Sequence, residues 1–90
     1  MTKFDFGDGK GLVPAHKHLD GGGWVAETAS VEGSVFVGLW AKVYGNAKVS
    51  GHTWVSGNAQ VYGDAWVYGN ALVYGDAAIT PKVLTGFPFT

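Results

Sequence analysis

Residues 43–78 read VYGNAK-VSGHTW-VSGNAQ-VYGDAW-VYGNAL-VYGDAA, six consecutive units of six residues. Every unit begins with Val, has Gly at its third position and has a small or β-branched residue at its fifth. A period of six matches neither the 3.6-residue period of an α-helix nor the alternation of a simple strand. Such a repeat is typical of a solenoid, in which one short structural unit is stacked many times.

The same pattern extends in both directions and divides Val25 to Leu84 into ten hexads without insertion or deletion. Val begins nine of them and Ile79 begins the tenth. Val is stiff and suits an inward-facing strand position. Gly followed by Asn or Asp tolerates the positive φ that a sharp corner needs. We therefore predict one short strand and one corner per hexad, around a dry interior of Val and Ala.

The pattern [V/I]-x-G-[N/D]-A-x resembles the hexapeptide-repeat family. The resemblance implies an all-β fold, a single-chain left-handed parallel β-helix shaped as a triangular prism, in which three hexads make one coil. Ten hexads then give about three coils. The left-handed sense of the coil is implied by the family resemblance alone, since parallel crossover connections in most folds are right-handed. Residues 4–25, FDFGDGKGLVPAHKHLDGGGWV, also resemble small uncharacterised phage and prophage proteins of this repeat class, which implies a viral or prophage origin.

We expect three segments: an N-terminal cap over residues 1–24, the hexapeptide-repeat β-helix over 25–84, and a tail over 85–90. A parallel β-helix leaves open strand edges at its ends, which invite aggregation unless they are covered. The apolar residues expected to close the first coil are Phe4, Phe6, Leu12 and Val13.

Two tryptophans are predicted to pack against this N-terminal segment. Trp24 directly precedes the first hexad. In the third hexad Leu39-Trp40 replaces the Gly-Asn type of corner, so Trp40 is expected to project outward. At the other end, the sequence Phe87-Pro88-Phe89 is expected to cover the last coil or to reach into a neighbour; the alternative is a frayed terminus.

Three hexads per coil place residues 18 apart in a column on one face. The predicted first column is Phe36, Trp54 and Leu72 with Tyr74 beside it; the second is Lys48, Trp66 and Leu84 with Tyr68; the third is Trp24, Lys42, Gln60 and Ala78, with Tyr44 next to Tyr62. These positions alternate with the inward Val residues, so they should point to solvent. Contiguous exposed apolar surface usually marks an interface, unless the N-terminal segment folds back over it.

The hexapeptide-repeat family commonly forms homotrimers through such faces, with parallel axes. A cyclic trimer requires a closing contact between two different faces, and the Phe36 column and the Trp66 column would supply them. Tyr and Trp also dominate binding hot spots, so a host or phage protein is an alternative partner.

Composition excludes several partner classes. The formal net charge is −1, with six Lys and no Arg, and Arg is the preferred group for phosphate and guanine contacts. We therefore expect no nucleic-acid binding. No apolar run reaches the length of a membrane span, and the polar N-terminus does not resemble a signal peptide. The absence of Cys fits a reducing compartment, so the expected location is the host cytoplasm or the virion.

The family also contains acyltransferases and γ-class carbonic anhydrases, so each histidine is a candidate catalytic base or zinc ligand. The acyltransferases take a catalytic His from a loop that leaves the coil, and Val25 to Leu84 contains no such excursion. His52 stands in a corner position with no acid in its own hexad. It is interpreted as a solvated substitute for Asn.

The anhydrases bind zinc through three His shared between subunits, and the three His here are His16, His18 and His52. On an extended chain His16 and His18 project to the same side and could supply two ligands. They do not match the family's hexad positions, and the alternative is that both are surface residues of a polar loop. We predict no metal and no cofactor.

The leading hypothesis is a non-enzymatic phage or prophage β-helix that acts as a binding or assembly module through its aromatic faces, as a homotrimer. A more specific alternative is a phage-encoded inhibitor of a bacterial defence system that acts by binding a protein. The alternative from another class is a minimal acyltransferase or carbonic-anhydrase-like enzyme.

Overall fold

The computed structural model describes residues 2–7, 9–69, 71–76 and 78–79, and the backbone of residues 83–85 and 88–89. Within this part of the chain the secondary structure is all β, and no helix has the length and apolar character needed to span a bilayer. The strands are β1 (Lys3–Asp5), β2 (Leu12–Lys17), β3 (Trp24–Ala26), β4 (Ser30–Val31), β5 (Phe36–Val37), β6 (Lys42–Val43), β7 (Lys48–Val49), β8 (Trp54–Val55), β9 (Gln60–Val61), β10 (Trp66–Tyr68), β11 (Leu72–Val73), β12 (Ala78–Ile79), β13 (Val83–Thr85) and β14 (Pro88–Phe89).

Successive strands from β3 onward belong in turn to three sheets. The first sheet has the order β1-β2-β3-β6-β9-β12, the second β13-β10-β7-β4 and the third β14-β11-β8-β5. Every pairing among strands β3 to β14 is parallel, and Trp24, Lys42 and Gln60 lie in register. Because one turn therefore takes three hexads, the chain is a parallel β-solenoid of about three turns, as the repeat predicted.

The interior is lined by the first and fifth residues of the hexads. Val25, Val43 and Val61 are fully buried, and so are the alanines at the fifth positions of the second and third turns that the structure describes. Thr53 is the polar exception, and its Oγ1 donates a hydrogen bond to the carbonyl of Ser50 at 2.8 Å. The buried hydroxyl of Thr53 thus has a hydrogen-bond partner, and the prediction of a Val and Ala core is confirmed.

The corners depend on glycine for two reasons. Gly45 has a φ of +70°, and a Cβ built on it would lie 2.8 Å from the backbone nitrogen of Gly63 in the next turn. Among the described residues, positive φ values occur at glycines alone. The sequence had suggested that the following Asn or Asp could also take a positive φ, but the described Asn and Asp residues at the corners do not. Glycine provides both the backbone angle and the close stacking of corners.

The register changes in the last turn. Trp66 pairs with Val83 and Val67 pairs with Leu84, whereas strict 18-residue spacing places Leu84 beside Trp66. The predicted column of Lys48, Trp66 and Leu84 is therefore wrong at Leu84. The tenth hexad has Pro81 where most have Gly, and proline cannot adopt the positive φ of the other corners. The tail is also part of a sheet, since Pro88 pairs with Leu72; Phe87 lies outside the described residues.

The N-terminal segment continues the first sheet. β1 and β2 form an antiparallel pair, and β2 pairs antiparallel with β3, so that His16 lies opposite Val25. The loop that follows pairs with the third sheet: Val37 donates to the carbonyl of Asp20 at 3.0 Å and accepts from Gly23 at 2.9 Å. The open edges of two sheets are thus paired, while β4 remains the edge strand of the second sheet.

A second, smaller apolar cluster lies where the N-terminal segment packs on the first sheet. Its buried members are Phe6, Ala15, Ala26 and Tyr44, and Phe4, Val13, Trp24 and Tyr62 pack around them. Leu12 does not take part, because it is 67% exposed. The expectation that Leu12 helps to cover the first coil is therefore wrong, since at the register position of Asp5 it lies on the opposite side of the hairpin from Val13.

Candidate binding surfaces

The outward side of the third sheet carries an exposed apolar column, here called the third-sheet face. Phe36 and Trp54 stack with ring centroids 4.5 Å apart, and Leu72 follows in register. Trp54 is 51% exposed and Leu72 is 42% exposed, and Tyr74 beside them is also exposed. The structure thus brings these four predicted residues together on one solvent-facing surface.

The outward side of the second sheet, the second-sheet face, is smaller and more polar. Trp66 and Tyr68 lie 5.1 Å apart, centroid to centroid, and Trp66 is in register with the exposed Lys48. Trp66 is 49% exposed and borders a groove of about 360 Å³ that also includes Asn46 and Asp64. Leu84 does not lie in this column by register, and its side chain is outside the described residues.

The outward side of the first sheet is covered by the N-terminal segment. Phe4 stacks on Trp24 at 4.6 Å, and Phe6 stacks on Tyr44 at 4.9 Å. Tyr44 in turn stacks on Tyr62 at 5.0 Å. The strands of the segment therefore cover the first sheet, and its loop reaches the third sheet only at the edge beside Phe36. Trp54, Leu72 and Tyr74 of the predicted column remain exposed.

Trp40 is placed differently from Trp24. It is 72% exposed, next to Leu39, which is 57% exposed, and it lies outside the apolar cluster under the N-terminal segment. Trp40 instead forms one wall of a cleft of about 410 Å³ whose other walls include Phe4, Trp24 and two lysines. Trp40 therefore projects from the surface and shares a cleft with Phe4, and it does not join the cluster under the N-terminal segment.

Those two lysines, Lys17 and Lys42, were not identified as site residues from the sequence. The 18-residue spacing puts Lys42 in the same column as Trp24, and this spacing could have identified Lys42 as a neighbour of that ring. Lys17 lies opposite Trp24 only because β2 pairs antiparallel with β3. No local pattern predicts that pairing, so its position could not be inferred.

His16 and His18 each have their own partner and do not converge on one point. The Nδ1 of His16 lies 2.7 Å from the Oε2 of Glu27, and both side chains are about half exposed. His18 is only 7% exposed, and its Nε2 donates to the carbonyl of Val35 at 2.6 Å. The interpretation of His18 as a surface residue is therefore wrong. No local sequence pattern indicates that His18 is buried, because its partner Val35 is 17 residues away in the chain.

His52 is exposed at a corner between the second and third sheets. Its backbone N–H donates to the carbonyl of Gly69 at 2.8 Å, and its ring has no hydrogen-bond partner among the residues that the structure describes. A general base normally needs a second group that orients the imidazole. A search of the described residues for three or more His, Cys, Asp or Glu positioned to hold a metal ion found no such group.

Comparison with known proteins gives one match. The family model described as YdcK Beta solenoid repeat matches residues 59–75 and 65–79, which together span less than a quarter of the chain. The matched segment runs from the end of the second turn to β12, and the similarity supports membership of the β-solenoid class. Searches of the curated proteins and of the solved structures gave no significant match.

Proposed function

We propose that this chain is a non-enzymatic β-helical module that assembles with other copies of itself, and binds partners, through its exposed aromatic faces. The observation that carries the proposal is the Phe36–Trp54 stack, which continues into Leu72 on a solvent-facing sheet. A soluble monomer rarely leaves a contiguous apolar patch of large side chains uncovered. Trp and Tyr are also the residues that contribute most to binding hot spots.

We further propose that the solenoid is a left-handed, three-sided β-helix of the hexapeptide type, with residues 1–24 as its cap. Turns of three hexads support this geometry, because Phe36, Trp54 and Leu72 follow one another at 18-residue intervals. The pairing of the N-terminal segment with β3 and with Val37 supports the role as a cap, because a covered edge cannot recruit another chain.

The proposed assembly is a homotrimer in which the third-sheet face of one copy meets the second-sheet face of the next. Such a heterologous contact closes into a ring only when two different surfaces are available. Trp54 and Trp66 provide one exposed anchor on each. A standard interface buries about 800 Å² per partner. Each copy in the ring uses two faces, so roughly a third of the 4946 Å² surface of this chain would be buried.

The proposal also includes a phage or prophage origin, with a location in the host cytoplasm or the virion. It rests on the resemblance of residues 4–25 to small phage proteins of this class. Inhibition of a bacterial defence protein is a narrower form of the same idea, in which the third-sheet face binds a host protein.

Light scattering on the purified chain tests the assembly. We expect a trimer for the parent and a monomer for Trp54→Lys, because a charge in the centre of a dry interface is strongly unfavourable. The matched control is Leu19→Lys, which changes a 91% exposed leucine outside both faces and should leave the trimer intact. Circular dichroism should report the same β content for all three proteins.

A parent that remains monomeric at high concentration would reject the trimer. A Trp54→Lys protein that is still trimeric would show that the third-sheet face is not the interface.

A further inference from the structure

The cleft beside Trp40 is a concave site at the junction of the N-terminal segment and the first sheet. Its volume is about 410 Å³, within the ordinary range for small-ligand sites. Phe4 and Trp24 form a stacked pair on one side, and Leu39 and Trp40 project on the other. The walls are thus largely apolar, and one of them is a tryptophan with most of its surface in solvent.

Two ammonium groups flank this apolar surface. The Nζ of Lys17 lies over the Trp24 ring, 5.6 Å from its centroid, and the Nζ of Lys42 lies over the Phe4 ring at 5.9 Å. The described residues that line the cleft include no carboxylate. Among the described residues the ion pair recorded is that of His16 with Glu27, so neither lysine has a carboxylate partner there.

This arrangement selects against several ligand classes. A cation would be repelled by both lysines, and a neutral apolar molecule would gain nothing from them. A bare inorganic anion would leave the exposed faces of Leu39 and Trp40 unfilled. A ligand that satisfies both features has one negative group near the lysines and a flat apolar body against Trp40, since charge-assisted hydrogen bonds and ring contacts then add.

We propose that this cleft binds a carboxylate carried on a flat apolar body, presented either by a free small molecule or by the carboxyl end of a peptide. The proposal does not depend on assembly, because every group that it uses belongs to one chain and the residues of the third-sheet column do not line the cleft.

Three probes of equal size test the chemistry: 3-phenylpropionate, 3-phenylpropan-1-ol and 3-phenylpropylamine. Binding is followed by NMR through the indole N–H signals of Trp24 and Trp40, with Trp54 and Trp66 as internal references. We expect the carboxylate to bind about tenfold more tightly than the alcohol, and the amine to bind more weakly than both. Affinity for the carboxylate should fall as salt is raised, because exposed charges are screened.

Variants locate the site. Lys17→Gln and Lys42→Gln should each bring the affinity for the carboxylate close to that for the alcohol, while Trp40→Ala should weaken the binding of both. The matched control is Lys48→Gln on the second-sheet face, which should change neither affinity.

Short peptides that end in Phe, with a free or an amidated carboxyl group, distinguish the two sources. If the free peptide binds at least as tightly as 3-phenylpropionate, the source is a peptide end, and if it binds more weakly, the source is a small molecule. Equal affinities for the three probes, no shift at Trp24 and Trp40, or an equal loss in Lys48→Gln would overturn the proposal. Trp54→Lys should bind the carboxylate like the parent. Light scattering therefore tests the trimer and the NMR titration tests the cleft, and either proposal can fail without the other.

Discussion

One corner of the solenoid shows how a single residue can be required in one turn and replaceable in another. Gly33, Gly51 and Gly69 occupy the same hexad position at 18-residue intervals. Gly51 has a φ of +74°, and a Cβ on it would lie 2.7 Å from the carbonyl oxygen of Gly69. Gly33 has no positive φ, and a Cβ there would meet nothing within 4 Å. The repeat therefore looks uniform in the sequence although its structural demands differ.

We predict that Gly51→Ala lowers the free energy of unfolding by about 2 kcal/mol or more, because strain at positive φ and contact with a rigid backbone act together. Gly33→Ala should leave it unchanged or raise it by up to ~1 kcal/mol, since alanine restricts the unfolded chain more than glycine. Urea unfolding followed by circular dichroism measures both. Similar losses in the two variants would contradict the stacked-corner geometry.

Two histidines in one segment provide a second comparison between residues. His18→Ala should lower the free energy of unfolding by about 2 kcal/mol, because the carbonyl of Val35 loses a buried donor. His16→Ala should cost less than ~1 kcal/mol, because its pair with Glu27 is half exposed. Thermal unfolding at constant pH measures the difference. Equal losses of the free energy of unfolding in the two variants would show that His18 does not make the buried hydrogen bond to Val35.

These residues mark the limit of what the sequence could predict at this scale. The inward positions of Val43 and Val61 follow from the period alone, because a regular repeat fixes which side chain faces the axis. His18 could not be placed, since its burial depends on a loop that pairs with β5 through Asp20 and Gly23. Contacts between segments of different pattern leave no periodic signal.

At the scale of elements, the N-terminal hairpin differs from the strands of the repeat. The sequence predicted that it covers the first turn through apolar residues, and the structure places Phe4 and Phe6 in the apolar cluster at the first sheet. The sequence did not predict that β1 and β2 extend the first sheet in antiparallel order, which sets Lys17 opposite Trp24. The register of such a pairing is set by side-chain packing between the paired strands, and the hexads carry no information about it.

Phe6 is the residue that should show whether the hairpin is an integral part of the fold. It is 4% exposed and stacks on Tyr44, so Phe6→Ala should lower the free energy of unfolding by about 3 kcal/mol. Leu12→Ala in the same hairpin should change it by less than ~0.5 kcal/mol, because Leu12 is exposed. Both values come from urea unfolding. If the two losses are equal, the hairpin does not pack on the first sheet.

In the last turn the spacing between paired residues differs from the 18 residues that the repeat predicts. Val83 and Pro88 pair with Trp66 and Leu72 at spacings shorter than 18 residues. The hexad count was correct as arithmetic, but it assumed that every corner has the same length. Pro81 replaces the corner glycine in that hexad, and a different corner chemistry permits a different length.

At the scale of the whole molecule, each turn packs only on the turns above and below it. In the interior, Val43 lies in register with Val61 of the next turn, and both belong to the same core. The stability of such a protein is approximately the sum of the turns and of the contacts between neighbouring turns. Its length is therefore a variable that can be changed without altering the cross-section.

We predict that duplication of residues 43–60, which adds one complete 18-residue turn, gives a folded protein with a urea midpoint at least as high as that of the parent. The new turn repeats Val43, Val49 and Val55 in register, and each buried Val contributes about 1.5–3 kcal/mol. Duplication of residues 43–57 adds 15 residues, which is not a multiple of six, so it places a non-Val residue at an inward position after the junction. That variant should have a lower midpoint. Equal midpoints for the two duplications would mean that the period of six does not control how the turns stack.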